Sequence, residues 1–352
     1  MLLDIRGQPS SLEKVLEQQC GPGCKALNEA ARLLRTAKSV VMVGMGASLN
    51  AAMPLDNLLC AHGIEACSLE AGEFLHYRLA AYPEATVVLV SRSGESVEVA
   101  RLIGALRGRQ PIIGITNESG STLARQADVV LDVGSLPDEM VAVQSYTGTL
   151  LALYLLGMAA VERWASGLRQ VDAILGAMPH WIESNLQEAE HWDGFFEPST
   201  VACLLGRGAS YASAVEGRLL LNETAKAHAI AMSVASFRHG PIEVVDHDFR
   251  GIVFVPRDNT RDLNLSLAED IERFGGRVRL IGPKDGDATG LRWIDAPATS
   301  DMLAPLVEIV PLQVAALRLA ELRNIEVGKF RYVTQVTRSE GSIACELPKV
   351  DP

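Results

Sequence analysis

The 352-residue chain has no excess of positive charge, no long apolar run and no grouping of metal-binding side chains. Its net charge is −11, which argues against a general nucleic-acid binder, because phosphate backbones are held by surplus Lys and Arg. No uninterrupted apolar run reaches the roughly 18 residues that mark a membrane span. Thr147 to Val161 comes nearest and reads as a buried helix. Met1-Leu2-Leu3 is followed at once by Asp4 and Arg6, so no apolar core of a secretory signal is visible. The six cysteines, Cys20, Cys24, Cys60, Cys67, Cys203 and Cys345, are scattered. Cys20 and Cys24 flank a Gly-Pro-Gly, yet no second pair follows, and the expectation is reduced thiols in a cytoplasmic protein. The seven histidines show no metal-ligand spacing.

What is present is a globular balance, 48% apolar and 21% charged, over a length that suits two domains with real cores. After a helical stretch from Ser10 to Ala37, broken at residues 21–23, strand-like runs fall at 39–44, 64–68, 86–91, 111–116 and 128–133. Helical patterns separate most of them, which predicts a parallel, doubly wound α/β sheet. A long helix near 139–165 closes this unit, and a helical bridge follows at about 167–192. Strands are then expected at 201–206, 229–233, 250–256, 277–282 and 291–295, with a last helix from Met302 to Arg323. The division expected is therefore a helical segment 1–34, a first domain 35–166, the bridge 167–192, a second domain 193–328 and a tail 329–352. The tail's Phe330, Tyr332, Val333 and Val336 favour folding over a site.

The two domains are copies of one unit. Residues 40–52 read VVMVGMGASLNAA and residues 202–214 read ACLLGRGASYASA, an offset of 162 (202 against 40). Phe74-Leu75-His76 is answered by Phe237-Arg238-His239, one residue further out of step. A repeat this long means duplicated domains.

The most informative segment runs from Val87 to Ser96. An apolar strand breaks into Ser91-Arg92-Ser93-Gly94-Glu95-Ser96 and passes into a helical pattern. Three hydroxyls and free backbone N–H groups at a helix N-terminus favour an anion. The turn has no Lys, so it is not a P-loop, and by itself it also fits an ordinary capped helix. The second unit has Pro256-Arg257-Asp258-Asn259-Thr260 at this place, without the Ser/Gly turn and with an anion of its own. Glu216 and Glu223 lie seven apart on one apolar helix, Ala212 to Ala227, and share nearly one face. Either they sit at a wet edge, or they are buried and paired or useful. His239, held before Gly240-Pro241, suits a proton shuttle or a turn residue.

Four segments together carry a resemblance: Gly44 to Ser48, Ser91 to Ser96, Gly206 through Glu216-Gly217 to Glu223, and Arg238-His239-Gly240-Pro241. Over roughly residues 35–340 the chain resembles the isomerase half of glutamine:fructose-6-phosphate aminotransferase and its relatives, proteins with two sugar isomerase (SIS) domains. The resemblance implies two tandem flavodoxin-like α/β domains and a sugar-phosphate ligand. It implies phosphate binding by Ser48, Ser91, Ser93 and Ser96 with backbone near Arg92, proton transfer by Glu223, and ring opening by His239 from the neighbouring subunit of a homodimer. Gly46, Ala142, Gln144 and Gln335 fall at substrate-lining positions. No metal or organic cofactor is implied, and no nucleic acid or membrane partner. Gln335 stands where the synthases have a Schiff-base Lys, Leu220 stands at a second family Lys, and residue 2 is Leu where the glutaminase has its Cys. These departures point towards amine release from a hexose 6-phosphate, as in the family's deaminases and deglycases. A plain aldose–ketose phosphosugar isomerase and a non-catalytic phosphosugar sensor are the alternatives.

Overall fold

The structure is a computed structural model that describes residues 1–196, 201–284, 290–332, 334, 336, 337 and 339. Two helices, α1 (Leu2–Cys20) and α2 (Cys24–Thr36), precede the first unit. That unit runs β1 (Val40–Gly44), α3 (Gly46–Ala61), β2 (Ala66–Glu70), the short α4 (Ala71–Glu73), β3 (Thr86–Val90), α5 (Val97–Leu106), β4 (Ile112–Thr116), α6 (Thr122–Gln126), β5 (Val129–Asp132) and α7 (Gln144–Ala160). The bridge is α8 (Trp164–Gln187). The second unit runs β6 (Ala202–Gly206), α9 (Ser210–Ala225), β7 (Ala229–Ser233), α10 (Val234–Arg238), β8 (Arg250–Phe254), α11 (Arg261–Arg273), β9 (Arg277–Gly282), β10 (Arg292–Asp295) and α12 (Ala304–Leu322).

Both sheets are parallel and have the same order, β2-β1-β3-β4-β5 and β7-β6-β8-β9-β10. This is the doubly wound, flavodoxin-like arrangement, in which the chain reverses its direction of winding between the first and third strands of the unit. The repeat extends to detail. Phe74 and Phe237 are both fully buried, each just after the second strand of its unit.

Side chains alternate between the two faces of each sheet, as the strand period requires. Val40 and Met42 face one cluster while Val41 and Val43 face another. In the second sheet Leu204 joins the first of these clusters, and Cys203 and Leu205 face a third. The shared cluster contains residues of α1, α3, α7, α9 and α12, so the two sheets sandwich one helical layer. Among the described residues one helical stretch, Asp301–Leu322, is long and apolar enough to cross a membrane, and 83% of its apolar window is buried against the protein.

The first helix starts at Leu2, well before the expected Ser10. Pro9 hides the helix from a sequence reading because it lacks the N–H that would reach Ile5 O. The Gln8 side chain replaces it, its Nε2 donating to Ile5 O at 3.1 Å. The same group donates to Gln313 Oε1 at 2.8 Å, and Gln313 Nε2 returns a bond to Gln8 Oε1 at 3.1 Å. α1 is thereby pinned to α12 inside the core.

Candidate active site

A cavity of about 290 Å³ opens at the carboxyl ends of β1 and β3. Open α/β sheets place ligands at this reversal point, because the loops after the two strands diverge there. The segment Met45-Gly46-Ala47-Ser48 forms one wall, and Val90 to Ser93 with Ser96 forms the next. Gly46 enters α3 with φ +50°, a conformation that costs most residues a steric penalty.

The serine turn is built for an acceptor-rich ligand. Gly94 has φ +62°, and a Cβ there would fall 2.2 Å from Ser121 Oγ, so only glycine closes this turn. Gly94 N–H donates to Ser91 Oγ at 3.1 Å, and Glu95 N–H donates to Ser93 Oγ at 3.3 Å. Each oxygen accepts from the backbone, which leaves its O–H proton free to donate into the cavity. Ser96 Oγ is buried without a partner, an arrangement that costs free energy unless a ligand supplies one. The nearby carboxylate of Glu95 is turned aside, its Oε1 accepting from Thr122 N–H at 2.6 Å and its Oε2 from the Thr122 hydroxyl at 2.9 Å.

The opposite wall comes from the second unit. α9 presents Leu219 and Glu223, one turn apart. Burial raises the Glu223 carboxyl above its ordinary range, and the charge of Lys226 partly offsets this. Lys226 itself ends α9 with φ +50°, donates to the Glu223 carbonyl and lies 5.6 Å from the Phe330 ring centre. Phe330, Thr334, Val336 and Thr337 of the tail close the cavity, and Val97 N–H donates to Thr337 O at 3.1 Å. Among described residues the tail therefore folds over the site; Val333 and Gln335 lie outside them.

Glu216 does not lie at a wet edge. It is fully buried, accepts from Asn50 Nδ2 at 2.8 Å, and is pushed up to about 8 by desolvation, with a further push from Glu223. The Asn50 contact joins α3 of one unit to α9 of the other. Leu220 is buried in the core and does not reach the cavity.

The structure thus gathers Gly46, Ser48, Ser91, Arg92, Ser93, Ser96, Ala142 and Glu223 around one space. It does not bring Gln144 there: that side chain is buried and donates to Pro137 O at 3.0 Å. Nor does it bring His239, which is exposed at the end of α10 with its N–H on Ser236 O. Several lining residues were missed, Tyr146, Thr149 and Glu98 among them. Tyr146 and Thr149, in the first turns of α7, follow Ala142 at helical spacing, a pattern visible in the sequence. Glu98, in the first turn of α5, is buried with Oε2 unpartnered and carried no signal of its own. Asp138 fixes the start of α7 by accepting from the N–H groups of Gln144 at 2.7 Å and Ser145 at 3.1 Å.

With this geometry in place, the comparisons decide the family. The SIS domain model matches residues 33–162 and again 198–322. The chain belongs to the SIS domain family. This SIS protein is 29% identical over 348 residues to glutamine–fructose-6-phosphate aminotransferase (isomerizing) of Pyrobaculum aerophilum, covering 97% of its own length and 57% of the relative's. It thus spans little more than half of the curated relatives it matches. In fold it is similar to the C-terminal domain of glucosamine-fructose-6-phosphate aminotransferase from Francisella tularensis, with 22% identity, a TM-score of 0.79, and 93% and 96% of the two chains covered. It is also similar to a glucosamine-6-phosphate deaminase from Thermotoga maritima, with 21% identity, a TM-score of 0.73, and 93% and 100% covered.

Proposed function

We propose that this SIS protein acts on a hexose 6-phosphate that carries nitrogen, moving a proton between C1 and C2 and releasing the amine. One observation carries the reading: the hydroxyl turn of the first unit and Glu223 of the second open on the same cavity. The turn would hold the phosphate of the open-chain sugar, and that remote binding positions C1 and C2. Glu223, whose carboxyl burial raises above its ordinary range, suits a carboxylate that takes a proton from one carbon and returns it to the other. From a 2-amino aldose the shift gives a ketose imine, and from a 1-amino ketose it gives an aldose imine. Water adds to the C=N carbon in either case, and the amine leaves with a proton. The reaction asks for no metal or organic cofactor. Leu220, buried in the core, and the absence of a Lys at position 335 favour release over synthesis.

His239 enters this reading as a residue supplied across a homodimer, since within one chain it does not line the cavity. Sedimentation at micromolar concentration should then give a dimer, and a fully active monomer would contradict that part.

The deciding experiment incubates the protein with glucosamine 6-phosphate and with a fructosamine 6-phosphate in deuterated water. Amine release with deuterium at C1 or C2 supports the reading. Deuterium exchange with a nitrogen-free aldose or ketose phosphate alone replaces it with plain isomerisation. Tight binding with neither exchange nor release replaces it with a sensor.

A further inference from the structure

A second cleft, about 420 Å³, lies in the second unit against the amino ends of β9 and β10. This is the end of the sheet away from its ligand-binding loops, so the cleft is neither the reaction cavity nor its repeat. Its lining is unusual for a chain of net charge −11: Arg277, Arg279 and Arg292 converge there. The strand period makes this no accident of a flexible surface. Arg277 and Arg279 are two apart on β9 and share a face, while Val278 and Leu280 turn to the core on the other. Arg292 of β10 is the register partner of Arg279. Like charges placed side by side on neighbouring strands destabilise a sheet.

The hydrogen-bond partners of these guanidinium groups are neutral. Arg277 donates to Gly194 O at 3.3 Å and Arg279 to His191 O at 3.0 Å, both neutral carbonyls. Arg279 also lies 5.0 Å from the Phe195 ring centre, which fixes the plane of its guanidinium. Asp193 lines the cleft, but Arg318 holds it through two bonds of 2.7 and 2.6 Å. Glu272 also faces the cleft, and its Oε1 accepts from Val278 N–H at 2.8 Å. Among the described residues no carboxylate lies within ion-pair distance of Arg277, Arg279 or Arg292. Burial and the charges of Arg292 and Arg277 lower the Arg279 guanidinium, and the charge of Glu272 offsets this only in part. A guanidinium has five donors in a planar fork, and most of these fifteen or so remain unspent here.

We propose that this cleft is a binding site for a small, multiply charged oxyanion of the phosphate or diphosphate class, bridged by Arg279 and Arg292 across the two strands. Arg279 is held by the His191 carbonyl and the Phe195 ring, and strand pairing sets Arg292 beside it, so part of the donor set is in place before the ligand arrives. The inference is independent of the reaction proposed for the first cavity.

Calorimetric titration of the full chain with inorganic pyrophosphate at low salt tests it. Two classes of site are expected, one weakened by Ser93→Ala and the other by Arg279→Gln or Arg292→Gln, each Arg change costing about tenfold or more in affinity. Pyrophosphate should also shield Arg279 and Arg292 of the wild-type chain from phenylglyoxal, a readout that needs no variant to fold. A single class of site indifferent to both arginines, or no shielding at saturation, overturns the proposal. An Arg279-dependent class that persists when Ser93→Ala leaves the other class unaltered supports this site while telling against the phosphate turn.

Discussion

The two halves of this chain share a strand order and a repeated glycine–serine motif, yet among the described residues the cavity at the strand-order reversal belongs to the first. In the first unit the reversal point is a 290 Å³ space lined by hydroxyls. In the second, Pro256, Pro283 and Pro297 with Glu308 leave about 10 Å³ at the carboxyl ends of β8, β9 and β10. Ser48 faces the first space, whereas its counterpart Ser210 is fully buried and donates to Glu308 at 2.7 Å. Ser213 bonds the other oxygen of that carboxyl at 2.5 Å, and burial pushes Glu308 up to about 7. The second unit has satisfied its serine with a carboxyl of its own chain. The lesson is that a conserved backbone path does not preserve a site; the fate of one hydroxyl separates a cradle from a core.

Substitutions can break this contrast. The largest effect is expected at Glu223. Glu223→Gln should lower kcat about a hundredfold or more with little change in KM, because a base is lost while size and polarity stay. Glu216→Gln, on the same helix but outside the cavity, should leave most turnover intact. Comparable rates for the two variants in an amine-release assay would erase the distinction between them.

Next comes the serine turn. Ser93→Ala should weaken phosphosugar binding by about 1–3 kcal/mol, the worth of a hydrogen bond to a charged group. Ser210→Ala should leave that binding alone and lower stability instead, since it strips a donor from a buried carboxyl. Equal losses of affinity at Ser93 and Ser210, measured by titration, would show that the second unit still holds ligand.

Stability against pH gives a subtler test. Glu216 has a folded pKa of about 8, above the unfolded value of 4.5, so between the two the folded chain binds more protons. Its contribution is full below the unfolded value and is lost as pH rises through about 8. Denaturant midpoints should therefore fall from pH 5 to 9, and Glu216→Gln should flatten that slope. Glu308→Gln should flatten it nearer 7. A slope unchanged in both variants would place the titration elsewhere. The smallest effect is expected at Arg257, beside the closed point: Arg257→Gln should alter neither turnover nor phosphosugar affinity.

Much of this was legible in the chain because the signals were periodic. β9 begins and ends where the apolar run predicts, and the strand turns after β1 and β6 announce themselves by Gly-x-Gly-Ala-Ser. The serine turn was legible as a break between an apolar strand and a helical pattern, although the hydroxyls alone also fit an ordinary capped helix. Long-range pairings were not. Nothing local tells that Gln8 answers Gln313 or that Asn50 meets Glu216, and Pro9 obscures a helix that a side chain completes. Tyr146 and Thr149 sit one helical step from a residue already singled out; they were passed over because an apolar helix gives no reason to read one face as a wall.

Asn50 and Glu216 have a wider consequence for how such a protein changes over generations. The cradle belongs to the first copy and the carboxylate to the second, and a buried polar bond locks the copies together. Under the proposed reaction each half supplies what the other lacks, so neither could be deleted or traded alone. A descendant with a single copy would have to recover its missing carboxylate from another polypeptide or grow it anew. Redundancy at birth has become mutual dependence.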